Sequence, residues 1–224
     1  MYNSFIAAEK ARHVRTLFVP QQILVVRNGL DLGRFRNIPL SPNGSTRIVG
    51  IGSLLQLKRW ERLLKAAVIL RDRGLDFLIE IAGTGPLRKS LERQTQDLGL
   101  AGQVTLIGYV KDIPALLVNS TFLAHTSDIE GCPNVVLEAM ASGRPVVATD
   151  AGDVPFIIED GRTGFVVRRG DDDALVDRMA RLITDRDLCR RMGQAGRAKA
   201  EREFGLDRLV EETLAAYQAA GWRG

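Results

Sequence analysis

The middle of the chain alternates short, almost continuously apolar runs with longer stretches whose apolar residues recur every three or four positions. The first pattern is that of a strand buried on both faces of a parallel sheet, and the second is that of a helix packed on such a sheet. The apolar runs predict strands at Ile48–Gly52, Phe77–Ala82, Val104–Ile107, Phe122–Ala124, Pro145–Thr149 and Gly164–Val167. Trp60, Leu63, Leu64, Ala67 and Leu70 mark one face of a helix after the first strand. Further helices are expected over Pro86–Leu98, with Pro86 in the first turn, over Asn134–Ser142, stopped by Gly143, and around Leu175, Met179 and Leu182. Repeated β–α units demand right-handed crossovers, so the fold class is α/β, a Rossmann-like doubly wound parallel sheet.

With 224 residues the chain holds one sizeable core, but hardly two full nucleotide-fold domains. Charged residues are 26% of the whole, and no stretch approaches the ~18 consecutive apolar residues of a membrane span. The net charge, 31 − 27 = +4, permits attraction to anionic ligands or anionic lipid, but no aromatic-rich basic stripe accompanies it and no nucleic-acid partner is expected. Two cysteines, Cys132 and Cys189, build no disulfide framework and form no metal-spaced pair. Met1 to Lys10 lacks the layout of a secretory signal, so a cytoplasmic location is expected. The ends differ from the middle. Ile23–Val26 reads as a lone strand, followed by a turn-rich linker with Pro39, Pro42 and Gly44. Asp187–Ala220 reads as Arg-rich helix, divided at Gly205.

The most informative segment is Glu130-Gly-Cys-Pro-Asn-Val-Val-Leu-Glu138, which follows a strand and opens a helix. Ligands of open α/β sheets bind at the carboxyl ends of strands. Gly131 lets a backbone approach a ligand, Pro133 suits a first helical turn, and the free N–H groups of Asn134 and Val135 favour an anion or sugar hydroxyls. Glu138 shares a helical face with Asn134, so Glu130 and Glu138 could grip paired hydroxyls; acidic residues placed there for the helix dipole are the rival reading. Gly52-Ser-Leu-Leu-Gln-Leu-Lys58-Arg59 also joins a strand to a helix. Lys58 and Arg59 there could clamp a phosphate, or form a solvated pair, and the Gly-Lys-Ser/Thr order of a P-loop is missing. Gly83-Thr-Gly85-Pro86 resembles the start of a dinucleotide fingerprint, but Arg88 stands where its third glycine belongs. Asp171-Asp172-Asp173 reads as a helix cap rather than a metal site. His125 reads as a satisfied buried histidine, His13 lies in the loosely organised start, and Cys132 reads as a small filler.

Glu130-Gly-x-Pro-Asn-Val-Val-Leu-Glu138-Ala-Met-Ala, with Gly143-x-Pro145-Val-Val-Ala-Thr-Asp150, resembles the signature of the family 4 (group 1) retaining glycosyltransferases. Asn28-Gly-Leu-Asp31 with Phe35, Gly52 to Lys58, Gly83-Thr-Gly-Pro86, Gly108-Tyr-Val110-x-Asp112 and Gly161-x-Thr-Gly164 follow in the family's order, and the resemblance covers residues 23–220. It implies a GT-B fold, of which this chain is the C-terminal, donor-binding half. Residues 1–40 would be a remnant of the N-terminal domain with the inter-domain linker, 41–204 the nucleotide-sugar domain and 205–224 a crossover helix. The resemblance implies that Lys58 neutralises the diphosphate, Glu130 contacts the donor hexose near the reacting carbon and Glu138 holds the ribose. Gly52, Ser53, Gly83, Gly85, Gly131, Pro133, Asn134 and Val135 would line the donor, with Val110 against the base. Many relatives carry Arg where this chain has Ser53, and Arg59 is a candidate substitute. The donor would be a UDP-, GDP- or ADP-sugar, and neither a cofactor nor a metal is expected. Hexosyl transfer to an unknown acceptor hydroxyl with retention, as in polysaccharide biosynthesis, is the implied reaction. The first, acceptor-binding domain is not in the sequence. A piece of a full enzyme, a half-enzyme with a partner subunit and a non-catalytic binding module therefore all stay open, as do self-association and peripheral contact with the inner face of a membrane through the absent half.

Overall fold

A computed structural model describes residues 1–13, 23–40 and 45–222. Six strands form one parallel sheet: β1 (Arg47–Ile51), β2 (Leu78–Ala82), β3 (Val104–Gly108), β4 (Phe122–His125), β5 (Val146–Thr149) and β6 (Gly164–Val167), in the order β3-β2-β1-β4-β5-β6. All six expected strands are present. The order reverses between β1 and β4, and that is where a doubly wound sheet opens a crevice at its carboxyl edge.

Side chains of successive strand residues leave the sheet on opposite faces, and both faces are buried. Ile48, Ile79 and Phe122 join one core, under α2 (Trp60–Asp72), α3 (Arg88–Asp97) and α7 (Asp172–Thr184). Val49, Leu123 and Val146 join the other, under α4 (Ile113–Val118), α5 (Asn134–Ala141), α6 (Val154–Ile157) and α8 (Arg186–Glu203). Leu63 and Leu64 of α2 are wholly buried, so Leu64→Ala would remove about 2–5 kcal/mol of stability. Asp171 accepts from the Ala174 N–H at 3.0 Å and caps α7, which is the capping role expected of the acidic triplet. Asp172 instead receives Arg62 Nε at 2.9 Å.

Three features differ from expectation. Pro86 lies in a turn before α3 rather than in its first turn, because Leu87 N–H bonds to Leu54 O and Arg88 N–H to Gly85 O. Ile23–Val26 forms no regular strand; Val25 makes one isolated bridge, to Tyr2. A helix not anticipated, α1 (Phe5–His13), occupies the start of the chain. Pro42 and Gly44 of the expected linker lie outside the described residues. Leu206–Ala219 forms α9, with Gly205 at its N-cap separating it from α8. Arg208 donates to the carbonyls of Arg27 and Asn28 at 3.0 and 2.8 Å, which holds α9 against residues 27 and 28. Among the described residues no helix is long and apolar enough to cross a membrane.

Candidate functional site

The loops that leave β1, β2 and β4 meet at the reversal in strand order. The β1 and β2 loops are tied backbone to backbone: Gly52 N–H donates to Ala82 O at 2.9 Å and Leu54 N–H to Thr84 O at 2.8 Å. Gly83 has φ +150°, and a Cβ there would lie 1.8 Å from Gly52 O, so only glycine allows this approach. Gly85 similarly abuts Leu54. The β1 and β4 loops are tied as well. Asp128 N–H donates to Leu57 O at 2.9 Å, and the Thr126 hydroxyl donates to Lys58 O at 2.9 Å.

This stitching brings Lys58 to Glu130. Lys58 ends a single 3-10 turn, Gln56–Lys58, and its Nζ lies 2.5 Å from Glu130 Oε1. The two side chains are 17% and 11% exposed, so the pair sits in the crevice wall rather than in open solvent. His125, the last residue of β4, is buried, and its Nε2 lies 3.1 Å from the same Oε1. The Ser127 hydroxyl also bears on the carboxylate. Burial opposes ionisation of Glu130, but His125, Lys58 and Ser127 outweigh it and hold the carboxyl at about 2.

Arg59 is turned away from this point. Its φ of 52° is left-handed, and its guanidinium pairs with Asp128 at 3.0 Å and Glu61 at 2.5 Å. Ser53 is exposed, and its carbonyl accepts from Trp60 Nε1 at 2.9 Å. Val110 is half-buried two residues past β3, in a hollow of about 590 Å3 shared with Arg47, Glu80 and Asp112.

The turn at Gly131 is braced from the next loop. Asp153 N–H donates to Gly131 O at 2.8 Å, and the buried Asp153 carboxylate receives the Ser4 hydroxyl and the N–H groups of Phe5 and Ile6, joining α1 to this turn. Pro133 caps the start of α5, and the first intrahelical bond runs from Val136 N–H to Pro133 O. The N–H groups of Asn134 and Val135 therefore have no carbonyl within the helix. The Asn134 side chain is occupied, accepting from Asn28 Nδ2 at 2.6 Å. Glu138, one turn later, is half-buried, and its carboxylate makes no hydrogen bond or ion pair among the described residues. Burial pushes its carboxyl up from the ordinary value, and Arg34 partly offsets the rise.

Glu130, Gly131, Lys58, Gly52, Gly83 and Gly85 thus come together. Arg59 pairs with Asp128 and Glu61 instead, and Val110 lines its own hollow with Arg47, Glu80 and Asp112. His125 was expected to be satisfied, but its Nε2 finds no aligned acceptor, and neither does Ser127 Oγ. Ser127, Asp128 and Asp153 carried no signal that singled them out in the sequence, and Asn28 stood out only as part of the Asn28-Gly-Leu-Asp31 segment. The spacing of His125, Ser127 and the Glu130 loop after one strand was the available signal for Ser127. Cys132 is buried with its thiol pushed up by desolvation, and Cys189 is pushed up to about 12 by the same cause, so neither is set up as a nucleophile.

Residues 33–199 match the model of the glycosyl transferases group 1 family. The chain is 33% identical over 162 residues to a putative glycosyltransferase, EpsD, of Bacillus subtilis, covering 72% of this chain and 42% of that protein. It is 31% identical over 214 residues to a GDP-mannose-dependent phosphatidylinositol monomannoside mannosyltransferase of Mycobacterium tuberculosis, covering 88% of this chain and 54% of that protein. It superposes with a TM-score of 0.77 and 25% identity on Anabaena HepE in complex with UDP, over 86% of this chain and 57% of that one. The chain spans about half the length of the curated relatives it matches.

Proposed function

Since the chain belongs to the group 1 glycosyl transferases, we propose that it is the donor-binding half of a retaining enzyme that moves a hexosyl group from a nucleoside diphosphate sugar to an acceptor hydroxyl. The observation that carries this is the Lys58–Glu130 contact at the strand-order reversal, with Glu130 four residues before the start of α5. In this reading the diphosphate lies between Lys58 and the Asn134 and Val135 N–H groups. A cation and a helix start are complementary to the charge that grows on the leaving phosphate as the glycosidic bond breaks. The anomeric carbon then bonds to the acceptor oxygen on the same face, and the acceptor proton passes to the departing diphosphate. Glu130 is placed to accept hexose hydroxyls. Glu138, desolvated and unpartnered, accepts the two ribose hydroxyls. The glycines at 52, 83 and 131 let the backbone close on the ligand.

Lys58 and α5 supply the positive charge, so the proposal calls for no divalent ion. Both UDP and GDP-mannose appear among the names of similar proteins, and the base is left to the test. The second wall of the crevice, with the acceptor, would come from a segment or subunit beyond this sequence. Calorimetric titration of the chain with UDP, GDP and ADP in EDTA is expected to show one base bound. The 2′-deoxy form of that nucleotide should bind more weakly, and Glu138→Gln should erase the difference while costing about 1.5–3 kcal/mol of binding. Binding that disappears with EDTA, or equal binding of ribo and deoxy forms, would overturn the reading.

A further inference from the structure

Lys58 is not free to meet a diphosphate. In the empty crevice its ammonium is already held by Glu130 at 2.5 Å, in a pair largely shielded from solvent. One ammonium cannot balance both a buried carboxylate and an incoming diphosphate, and two anions on one cation repel strongly where water is scarce. Glu130 therefore needs other donors once a nucleotide arrives. Two are beside it. His125 is 3% exposed, and its Nε2 sits 3.1 Å from Oε1 without completing an aligned bond. Ser127 is 1% exposed, stands three residues before Glu130 in the same loop, and its Oγ is likewise unsatisfied. Buried donors left without an aligned bond are costly, so two of them beside one carboxylate need a reason.

We propose that Glu130 is handed from Lys58 to His125 and Ser127 when a diphosphate binds, which makes His125 and Ser127 positioning residues of the donor-loaded site. This rests on the reading of Lys58 as the diphosphate cation. The carboxylate selects the His125 tautomer protonated at Nε2, and small rotations align that N–H and the Ser127 hydroxyl on Glu130. Held in this way, Glu130 keeps its place for the hexose while Lys58 turns to the phosphate. After transfer the exchange runs backwards: Glu130 reclaims Lys58 and weakens the grip on the nucleoside diphosphate. The same carboxylate thus orients the sugar of the donor and competes against the product.

UDP, GDP or ADP, whichever the chain binds, is the probe, titrated calorimetrically with folding checked by thermal melts. Lys58→Ala is expected to abolish binding, and if it binds like the native chain the underlying reading of Lys58 fails. Given a loss with Lys58→Ala, Glu130→Gln is expected to bind the free nucleoside diphosphate about three- to tenfold more tightly, with a slower off-rate, because the competitor is gone. His125→Phe and Ser127→Ala are expected to weaken binding at least about twofold, and Glu130→Gln added to either should remove that penalty. A penalty that persists beside Glu130→Gln marks a packing role and overturns the hand-over, as does a Glu130→Gln variant that binds no more tightly. Where His125→Phe fails to fold, Ser127→Ala, the smaller change, decides the outcome alone.

Discussion

Glu130 and Glu138 stand eight residues apart at one helix start, yet their surroundings push them in opposite directions. Burial disfavours both charges. Around Glu130 the His125 ring, the Lys58 ammonium and the Ser127 hydroxyl prevail, and its carboxyl falls from the ordinary 4.5 to about 2. A lowered acid stabilises the fold at pH above its ordinary value, and that contribution disappears as pH falls through the folded value. Glu138 has no such donors, and its carboxyl is raised. A raised acid holds its proton more tightly when folded, so its ionised form costs stability above the raised value, and the cost vanishes below the ordinary 4.5. In urea at pH 7, Glu130→Gln should lose on the order of 3 kcal/mol or less, and Glu138→Gln should gain a fraction of that. The Glu130→Gln gap should close between pH 4.5 and about 2. A Glu138→Gln chain less stable than the native one at pH 7 would show that the carboxylate has a partner in the free protein. A carboxylate that Arg34 only partly compensates, beside the proposed crevice, fits the usual trade of stability for function. The signature around these two residues was legible because its spacing is local. The Lys58–Glu130 contact was not, since it spans 72 positions and depends on how two loops are laced together.

The same contrast between local and distant causes explains which elements could be read. The strands were placed to within one or two residues because a continuous apolar run of that length has nowhere to go but the middle of the sheet. The helix α4 escaped, although Asp112 caps it and Pro114 sits in its first turn, because six residues carry too little periodicity to recognise. The start of α1 offered only one local signal, Ser4, whose hydroxyl accepts from the Ala7 N–H at 3.2 Å; the N–H groups of Phe5 and Ile6 are capped by Asp153, nearly 150 positions away. The glycine turns were recognised as turns, but what they approach was hidden. Gly83 tests that approach. Its Cβ would strike Gly52 O, a backbone atom that cannot rotate away, and its φ is one that side chains rarely adopt. Gly83→Ala should therefore displace the β1 loop carrying Lys58, with a loss of at least about 1–3 kcal/mol of stability and a larger proportional loss of nucleotide binding. Binding that survives while stability falls would separate this turn from the site.

The sheet and its two cores are complete in this chain, but one flank is not covered. Leu206, Val210, Leu214 and Tyr217 are 45%, 55%, 42% and 52% exposed, and their spacing puts them along one side of α9. Tyr217 and Trp222 stack edge to face with centroids 6.1 Å apart, so the stripe continues past the helix end. Ala216 alone in α9 is buried, so the helix leans on the rest of the chain by a narrow edge. Tyr2, Phe5 and Phe156 add exposed apolar surface beside α1. Contiguous apolar patches of more than about 300–600 Å2 are uncommon on stable monomers and usually mark a contact surface. The matched regions make up 42% and 54% of two curated relatives, so those proteins have further chain that could cover the corresponding surface. On its own the chain should therefore self-associate. Sedimentation velocity at micromolar and tenfold higher concentration is expected to show the weight-average coefficient rising with concentration, and Leu214→Lys with Val210→Glu should suppress the rise without altering nucleotide affinity. Hydrogen exchange should show α9 opening far more readily than α5, since so little of it is buried. A concentration-independent monomer in which α9 is as well protected as α5 would mean that the stripe is tolerated in water, and that the chain needs no second body to complete its fold.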